Sequence, residues 1–316
     1  MSGAIPPVVL VHGGAGDIPD SRVANKLAGV KRAAREGYSR LIKTGNVLDS
    51  IEAAIHIMED DDAFNAGRGS VLNLEGEVEM EALITEGTHM NAGSVTLVRN
   101  IAHPISLARM VMEDTPHTIL GGQGVEDFIV KMGVPRVSDD YLITDYAKEA
   151  LAEFKRKGGD PTKTEIGSDW VPGEVGTVGC VVVNSTGHVA SGTSTGGITG
   201  KYRGRIGDTP LPGCGGYSDD DIGAVSTTGY GEAILKYNLA HRILTAMQSG
   251  MPTQNATKLS CEGMTSRLDK TAGAITVSNK GEVGVSFTST RMAWAYQLGD
   301  EIHYGIEKGQ HLVEKA

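Results

Sequence analysis

Apolar positions along the chain recur at two spacings, which divide it into strand-like and helix-like blocks. Short apolar or alternating runs predict strands at residues 7–11, 71–72, 78–84, 94–98, 178–183, 188–193, 222–226, 274–277 and 283–288. Apolar residues three and four positions apart predict helices at residues 23–41, 48–58, 104–112, 124–132, 146–154, 232–246 and 256–268. Strands and helices therefore come in groups rather than in strict alternation.

The order of these blocks favours an α+β protein over a doubly wound one. Turn sequences at 184–187 and 278–281 join neighbouring strands, which is typical of hairpins. Because antiparallel sheets commonly bury one face against other elements, we expect antiparallel sheets covered by helices. Asn46 is the expected N-cap of the second helix, since its side chain can accept from free amides of the first turn.

One segment has no apolar periodicity. Residues 155–174 are polar and interrupted by glycine and proline, so we expect them to be flexible. This segment directly precedes Gly176-Thr177, where an apolar run begins. No internal repeat and no other linker is evident, so residues 1–316 are expected to form a single domain.

Composition and charge narrow the class of protein. The 316 residues carry a formal net charge of -10 with scattered basic residues, which argues against a nucleic-acid surface or a polybasic membrane anchor. Three cysteines, Cys180, Cys214 and Cys261, are too few and too separated for a disulfide framework. No signal peptide or membrane-spanning run is evident, so the expected location is the cytoplasm.

The candidate nucleophile is Thr177, in the sequence Gly176-Thr177-Val178-Gly179. A threonine hydroxyl becomes a nucleophile when a neighbouring base takes its proton, and the α-amine of an N-terminal threonine is such a base. That amine titrates near neutral pH. Cleavage between Gly176 and Thr177 would create it, which predicts self-cleavage followed by hydrolysis. The alternative is that Thr177 merely begins a buried strand, where β-branched residues are favoured.

Two other interpretations stay open on the residues alone. Gly192-Thr193-Ser194-Thr195-Gly196 matches the nucleophile elbow of serine hydrolases, with Asp208 as the acid and His241 or His303 as the base. The elbow needs a helix directly after the serine, and the glycine-rich sequence that follows disfavours one. A binding protein that never cleaves itself is the non-enzymatic alternative.

Metal catalysis has little support in the sequence. The nine histidines form no HExxH motif and no comparable pair with a carboxylate. Asp60-Asp61-Asp62 suggests calcium, but these residues lack the alternate spacing of an EF-hand loop. A solvated acidic turn is therefore the preferred interpretation of their side chains.

Threonines and one pair of opposite charges mark the remaining chemistry. Thr177, Thr195 and Thr228 each lie at or beside a predicted strand end, with glycines next to them. Arg205 offers a planar fork for a carboxylate, and Asp208 offers an acceptor for an ammonium group. Together they would hold the α-groups of an amino acid. The alternative for this pair is a surface salt bridge, which is common and weak.

Taken together, these motifs resemble the plant-type L-asparaginases, also called isoaspartyl aminopeptidases or β-aspartyl-peptidases, of the N-terminal nucleophile (Ntn) hydrolase superfamily. The animal cytosolic members are the most similar. The resemblance covers nearly the whole chain and rests on the order and separation of six motifs: His12-Gly13-Gly14, Phe64-Asn65-Ala66-Gly67, Gly176-Thr177-Val178-Gly179, Thr193-Ser194-Thr195-Gly196-Gly197, Gly204-Arg205-Ile206-Gly207-Asp208 and Thr228-Gly229-Tyr230-Gly231-Glu232.

The resemblance implies a four-layer αββα sandwich and autocleavage before Thr177. The products would be an α chain of residues 1–176, with a flexible tail from about 155, and a β chain of residues 177–316, paired into a dimer of αβ heterodimers. The mature enzyme would convert L-asparagine to L-aspartate and ammonia. It would also cleave β-aspartyl dipeptides to aspartate and the released amino acid, with no catalytic cofactor.

The resemblance assigns the catalytic roles to residues of these motifs. Thr177 would be the nucleophile, and Thr195 would hydrogen-bond to it and orient it. Thr228 and the amide of Gly229 would form the oxyanion hole. Asn65 would lie near the nucleophile and support processing.

Substrate binding is assigned in the same way. Arg205 would bind the α-carboxylate of the substrate and Asp208 its α-amine, with Gly229 and Gly231 lining the site. The resemblance further implies a structural sodium ion held through backbone carbonyls of the 58–68 loop. Its ligands would be Met58, Glu59, Asp61, Phe64, Ala66 and Arg68.

Two positions depart from the pattern of this family. Glu81 stands where aspartate is expected, so the hydrogen-bond network behind the site is longer by one methylene. Tyr230 lies between Gly229 and Gly231 at a variable position facing the leaving group. The relative preference for asparagine and isoaspartyl peptides is therefore left open.

Overall fold

The computed structural model describes residues 5–159 and 176–316 of the chain. Its helices are α1 (Asp20–Thr44), α2 (Val47–Glu59), α3 (Pro104–Asp114), α4 (Gln123–Met132), α5 (Asp139–Leu142), α6 (Asp145–Arg156), α7 (Gly231–Tyr237), α8 (Leu239–Gln248) and α9 (Thr253–Leu268). Its strands are β1 (Val8–Gly16), β2 (Met80–Glu86), β3 (Ala92–Val98), β4 (Ile119–Gly121), β5 (Val178–Val183), β6 (Val189–Thr195), β7 (Gly216–Asp219), β8 (Gly223–Gly229), β9 (Ala272–Ser278), β10 (Val283–Phe287), β11 (Arg291–Leu298), β12 (Glu301–Glu307) and β13 (Leu312–Lys315).

The strands form two sheets. The larger has the order β13-β12-β11-β1-β5-β6-β2-β3-β4, and the smaller has the order β10-β9-β8-β7. Strand β5 pairs antiparallel with β1 on one side and β6 on the other. Strand β5 is therefore a central strand with a neighbour on each side. Because β5 begins at Val178, Thr177 lies directly before its first residue.

Alternation along the central strands separates two of the hydrophobic clusters. Val9 and Val11 of β1 face the helices α1 to α3, whereas Val8 and Leu10 face the second sheet. Successive side chains of a strand point to opposite faces, so one strand contributes to both cores. A third cluster packs α7, α8 and α9 against β8 and β9. The layers are thus helix, sheet, sheet and helix, which confirms the α+β class and the four-layer αββα sandwich.

Several predicted elements need correction. Residues 71–72 form no strand, and the glycine segment after residue 12, predicted as a loop, continues β1 to Gly16 through an irregular stretch. The helix predicted over 232–246 is broken at Asn238, whose φ of 59° ends α7 and begins α8. Sequence periodicity did not reveal β4, β7, α5 or the strands β11 to β13, where short or mixed segments carry little periodic signal.

The expected cap of the second helix is confirmed, because the Asn46 side chain accepts from the amides of Leu48 and Asp49 at 2.8 and 3.2 Å. Of the segment predicted to be flexible, Lys155 and Arg156 belong to α6, while residues 160–175 lie outside the described residues. Within the described ranges, no helix combines the length and apolar character needed to cross a membrane.

Candidate active site

A cavity opens beside Thr177, at the end of β5 between the two sheets. Thr177 is 8% exposed, so its hydroxyl is nearly enclosed yet reaches the cavity. The lining brings together residues from widely separated parts of the sequence: Gly176, Thr177, Thr195, Gly197, Ile198, Arg205, Asp208, Thr209, Gly229 and Gly231. Six of the predicted catalytic, substrate-binding and cleavage-site residues besides Thr177 therefore meet in one place.

The Thr177 hydroxyl has a partner that the sequence did not reveal. Its Oγ1 lies 3.2 Å from Oγ1 of Thr209, which is buried. The carbonyl of Thr209 in turn accepts from the Thr193 hydroxyl at 3.2 Å, which holds this loop against β6. The only signal in the sequence was its position directly after the Gly204–Asp208 motif.

Thr195 and Asn65 form a second hydrogen-bonded group in the same wall. The Asn65 amide nitrogen donates to the Gly197 carbonyl at 2.7 Å and to the Thr195 hydroxyl at 3.5 Å. The Thr195 hydroxyl also accepts from the Gly197 amide at 3.0 Å. Asn65 thereby fixes both the end of β6 and the turn after it. The contact predicted between Thr195 and Thr177 stays a prediction.

The peptide group of Gly176 is packed tightly by backbone from β1. A Cβ atom placed on Gly14 would lie 2.7 Å from the carbonyl carbon of Gly176, and Gly14 has a φ of 99°. The next amide, that of Ala15, donates to the Thr228 hydroxyl at 3.1 Å. A Cβ on Gly176 would in turn collide with that hydroxyl. Only glycine fits at positions 14 and 176, so the bond before Thr177 sits in a preformed slot.

On the opposite side, the cavity is lined by charges. Arg205 makes a bidentate pair with Glu232, through Nε at 2.9 Å and a terminal nitrogen at 3.0 Å. Asp208 is buried beside it, and a Cβ on Gly231 would lie 2.7 Å from Arg205 and 2.8 Å from Asp208. The missing side chain at Gly231 leaves room for a ligand next to a cation and a carboxyl group.

Burial shifts the pKa values of two charged groups near the cavity, Asp208 and Lys201. It raises the pKa of the Asp208 carboxyl to about 7, against the opposing attraction of Arg205. It lowers the pKa of Lys201 to about 8. The Lys201 amine donates to the carbonyls of Glu79 and Gly196 at 2.6 and 2.9 Å. These groups therefore titrate near neutral pH, which is common at functional sites.

Glu81 supports the loop that carries Arg205 and Asp208. Its carboxylate accepts from the Gly207 amide at 2.9 and 3.2 Å, and its side chain is 1% exposed. The departure from aspartate noted in the sequence thus falls on a residue that holds the substrate-side loop.

Tyr230 is half-buried next to Gly229 in the chain, and its amide donates to the Thr271 carbonyl at 3.1 Å. The Lys270 amine lies 5.4 Å from the centre of the Tyr230 ring. The predicted contact of Tyr230 with a leaving group stays a prediction.

A buried histidine lies next to β5, the strand that follows Thr177. His12 pairs across the sheet with Gly179, and its Nε2 lies 2.7 Å from the Ser226 hydroxyl. Burial lowers its pKa to about 3, so the ring is neutral at pH 7. Cys180 is also buried, and burial raises the pKa of its thiol, so it is a packed thiol rather than a thiolate nucleophile.

The serine-elbow interpretation does not fit the geometry. Ser194 points to the opposite face of β6 from Thr195, because side chains alternate, and its hydroxyl donates to the buried Glu59 at 2.6 Å. His303 is stacked on Tyr296 in the β11–β12 region, with ring centres 4.4 Å apart. His241 lies on α8, where it packs edge-on against another ring. Neither histidine lines the cavity beside Thr177.

The 58–68 loop gathers carbonyl oxygens. A Cβ on Gly67 would lie 2.8 Å from the Ala102 carbonyl and would collide with that of Glu59, and a Cβ on Gly69 would lie 2.7 Å from the Phe64 carbonyl. Oxygen donors of this kind suit hard cations. Glu59 and Phe64 are two of the implied sodium ligands, and the Glu59 carbonyl accepts from the Arg68 amide at 2.7 Å, so the sodium ion stays a prediction. Within the described residues, no group of three or more histidines, cysteines or acids is placed to hold a metal.

Comparison with known proteins agrees with these features. A family model described as Asparaginase matches residues 5–306. The probable isoaspartyl peptidase/L-asparaginase of Drosophila pseudoobscura pseudoobscura is 48% identical over 312 residues, which cover 95% of this chain and 96% of that protein. The isoaspartyl peptidase/L-asparaginase of Danio rerio is 44% identical over 308 residues (98% and 97%), and that of Homo sapiens is 46% identical over 302 residues (95% and 96%). On the match of nearly its whole length, the chain belongs to the Asparaginase family.

Proposed function

We propose that this chain is a self-activating threonine hydrolase that acts on L-asparagine and on β-aspartyl (isoaspartyl) dipeptides. The observation that carries the proposal is the cavity in which Thr177 meets Arg205 and Asp208. A hydroxyl nucleophile beside a cation and a carboxyl group suits a substrate with an α-carboxylate, an α-amine and a side-chain carbonyl. The names of the curated relatives, isoaspartyl peptidase/L-asparaginase, support this substrate class.

Self-cleavage creates the mature enzyme. The Thr177 oxygen attacks the carbonyl carbon of Gly176, the bond from that carbon to the Thr177 nitrogen breaks, and the hydroxyl proton moves to that nitrogen. Water then hydrolyses the resulting ester, which frees the carboxylate of Gly176 and restores the Thr177 hydroxyl. Glycine at 176 favours the first step, because a Cβ there would collide with Thr228. The products are an α chain of residues 1–176 and a β chain of residues 177–316.

Turnover uses the same oxygen with a new base. The freed α-amine of Thr177 takes the hydroxyl proton while the oxygen attacks the side-chain carbonyl of the substrate. Ammonia or an amino acid leaves with that proton, and water hydrolyses the acyl-enzyme to aspartate. Thr228 and the Gly229 amide stabilise the oxyanion, where each such donor contributes on the order of 3 kcal/mol. Thr195 and Asn65 hold the wall beside the nucleophile.

The charged side of the cavity selects the substrate. Arg205 binds the α-carboxylate with the N–H groups that its pair with Glu232 leaves available, and Asp208 accepts from the α-ammonium. Gly231 provides the space between them. This arrangement recognises an amino acid by both α-groups while leaving its side chain free to reach Thr177.

Three further properties belong to the proposal. The mature protein pairs into a dimer of αβ heterodimers, and the carbonyls of the 58–68 loop hold a sodium ion with a structural role. The protein acts in the cytoplasm, which its three unpaired cysteines support, since reducing compartments keep thiols free.

Intact-mass spectrometry of the purified protein tests the proposal most directly. We expect two polypeptides, one of which begins Thr-Val-Gly-Cys, together with ammonia release from asparagine and aspartate release from β-Asp-Leu. Thr177→Ala should leave one polypeptide and lower turnover by about ten-thousand-fold or more. Ser194→Ala is the matched control, since that hydroxyl faces Glu59 on the other side of β6. A wild-type protein that stays intact and inactive would favour the binding-protein interpretation.

A further inference from the structure

A fully buried lysine lies behind the glycine segment of β1. Lys26 belongs to the stripe of α1 that faces the core, and the other buried members of this stripe are apolar residues or glycines. Its side chain is 0% exposed, and its amine donates to the Gly13 carbonyl at 2.8 Å. The same amine lies 4.8 Å from the centre of the Phe64 ring, and burial lowers its pKa well below the usual value for lysine.

The Gly13 carbonyl, which accepts from Lys26, lies in an irregular part of β1. Strand β1 pairs with β11 at His12 and again at Ala15, and with β5 only as far as His12. Gly13 and Gly14 therefore have no cross-strand partners among the described strands. Residues in such an irregular stretch lose their ladder hydrogen bonds. The amine of Lys26 takes the place of the missing ladder partner at the Gly13 carbonyl.

Holding this carbonyl also fixes the next peptide group. A trans peptide is planar, so its C=O and N–H bonds point in opposite directions. With the Gly13 carbonyl held toward Lys26, the Gly14 amide is turned away from α1. The backbone of Gly14 then lies against Gly176, and the following Ala15 amide reaches the Thr228 hydroxyl at 3.1 Å.

We propose that Lys26 is a positioning residue for self-cleavage, which through the Gly13 carbonyl holds Gly14 and Ala15 against the bond between Gly176 and Thr177. The inference rests on the proposed function, because it concerns the cleavage step. Lys26 acts through Gly13 and not on the reacting atoms. Its contribution is the close placement of the attacked carbonyl, and small displacements at such a centre slow a reaction strongly.

The experiment compares the wild type with three single variants, each purified and followed by intact mass from precursor to product. Lys26→Met keeps the length and volume of the side chain but removes the donor. Lys26→Arg keeps a donor at the same place. Lys43→Met is the matched control, because Lys43 is an exposed lysine in the last turn of the same helix. Thermal unfolding of every variant is measured alongside.

We expect Lys26→Met to slow cleavage by about tenfold or more, since it removes the buried hydrogen bond that holds the Gly13 carbonyl. Lys26→Arg restores a donor on a longer, permanently charged side chain, so it should cleave faster than Lys26→Met, and Lys43→Met should match the wild type. The unfolding midpoint of Lys26→Met should fall, because the buried Gly13 carbonyl loses its partner, but its cleavage should be slow even at temperatures well below that midpoint. Fully cleaved Lys26→Met should show a lower kcat for asparagine with an unchanged KM.

Three results would overturn the inference. The first is cleavage of folded Lys26→Met within twofold of the wild type. The second is a loss of rate in both Lys26 variants that simply follows their loss of thermal stability. If Lys26→Met does not fold, a folded Lys26→Arg that fails to cleave is the third. A wild-type chain that never cleaves would instead refute the proposed function itself, so the two failures are distinguishable.

Discussion

Two regions of different composition lie next to the cavity beside Thr177. One, the backbone wall, consists of Gly14, Ala15 and Thr228, and it contacts Gly176 through main-chain atoms and one hydroxyl. The other, the charged wall, consists of Arg205, Asp208 and Glu232. The backbone wall contacts the bond that the chain is proposed to cut in itself. The charged wall faces the space for a substrate.

This difference implies different sensitivities for the two reactions. Main-chain amides and a threonine hydroxyl do not titrate near neutral pH, so the backbone wall keeps its properties across that range. It depends instead on volume, since a single added carbon would collide with Gly176. The charged wall depends on protonation, because burial raises the pKa of Asp208 to about 7. Self-cleavage should therefore respond to added bulk, and substrate binding to pH.

The largest expected effect is that of Gly14→Ala on self-cleavage. The added methyl group would lie 2.7 Å from the Gly176 carbonyl carbon, and the φ of 99° is unfavourable for alanine. We expect cleavage to slow by about a hundredfold or more, because the scissile carbonyl must move out of its slot. The rate is measured by the decay of the precursor on denaturing gels.

Gly133→Ala is the control for backbone strain alone. Gly133 also has a positive φ, of 65°, but nothing lies within 4 Å of a Cβ placed on it. Its precursor should cleave at the wild-type rate even though alanine is strained there. If Gly14→Ala cleaves as fast as Gly133→Ala, the backbone wall does not define the position of the scissile bond.

The next effect in size concerns the pH dependence of substrate binding. An ionised Asp208 is needed to hold the substrate ammonium, and this carboxyl becomes protonated as the pH falls through about 7. We expect the KM for asparagine to rise below that pH by up to about tenfold per unit. In the bound complex the substrate ammonium keeps Asp208 ionised, so kcat should not change over the same pH range. Arg205 opposes the protonation, whereas Glu81 and Glu232 favour it.

Asp208→Asn provides the control for this assignment. The variant should bind asparagine poorly at every pH, and its KM should no longer rise as the pH falls below about 7. Self-cleavage of the same variant should be unaffected, since no substrate ammonium takes part in it. A KM that still rises at low pH in Asp208→Asn would assign the titration to another group, such as the free amine of Thr177.

The sequence predicted those parts of the molecule that are encoded locally. The long helices α1 and α2, the Asn46 cap and the hairpin of β5 and β6 follow from periodicity and turn residues within one segment. The site residues were identified from the family resemblance, which rests on the order and separation of the motifs along the chain. Neither source required knowledge of which side chains touch.

What the sequence did not reveal depends on contacts between distant segments. Thr209 is 32 positions from Thr177, and apart from its position after the Gly204–Asp208 motif nothing distinguishes it from an ordinary loop threonine. The apolar positions that predicted α1 were Val23, Leu27, Val30, Ala34, Tyr38 and Leu41. Val30, Ala34 and Leu41 are buried as expected, but the other three are only half-buried, and the buried stripe also includes Lys26. A lysine in a helical pattern normally indicates solvent, so its burial becomes visible only once β1 is in place.

The smallest expected effect is that of Glu81→Asp, which tests how far support behind the charged wall matters. Its carboxylate accepts from the Gly207 amide at 2.9 and 3.2 Å, and Gly207 lies between Arg205 and Asp208 in sequence. Removing one methylene draws the acceptor back, so we expect the KM for asparagine to rise about threefold, the cost of a weakened hydrogen bond. Glu81→Gln keeps the length of the side chain and one acceptor oxygen, so its KM for asparagine should rise less. Because the backbone wall does not use this contact, neither variant should change the rate of self-cleavage. A change in the rate of self-cleavage without a change in KM would contradict this assignment, because it would mean that Glu81 supports the backbone wall and not the charged wall.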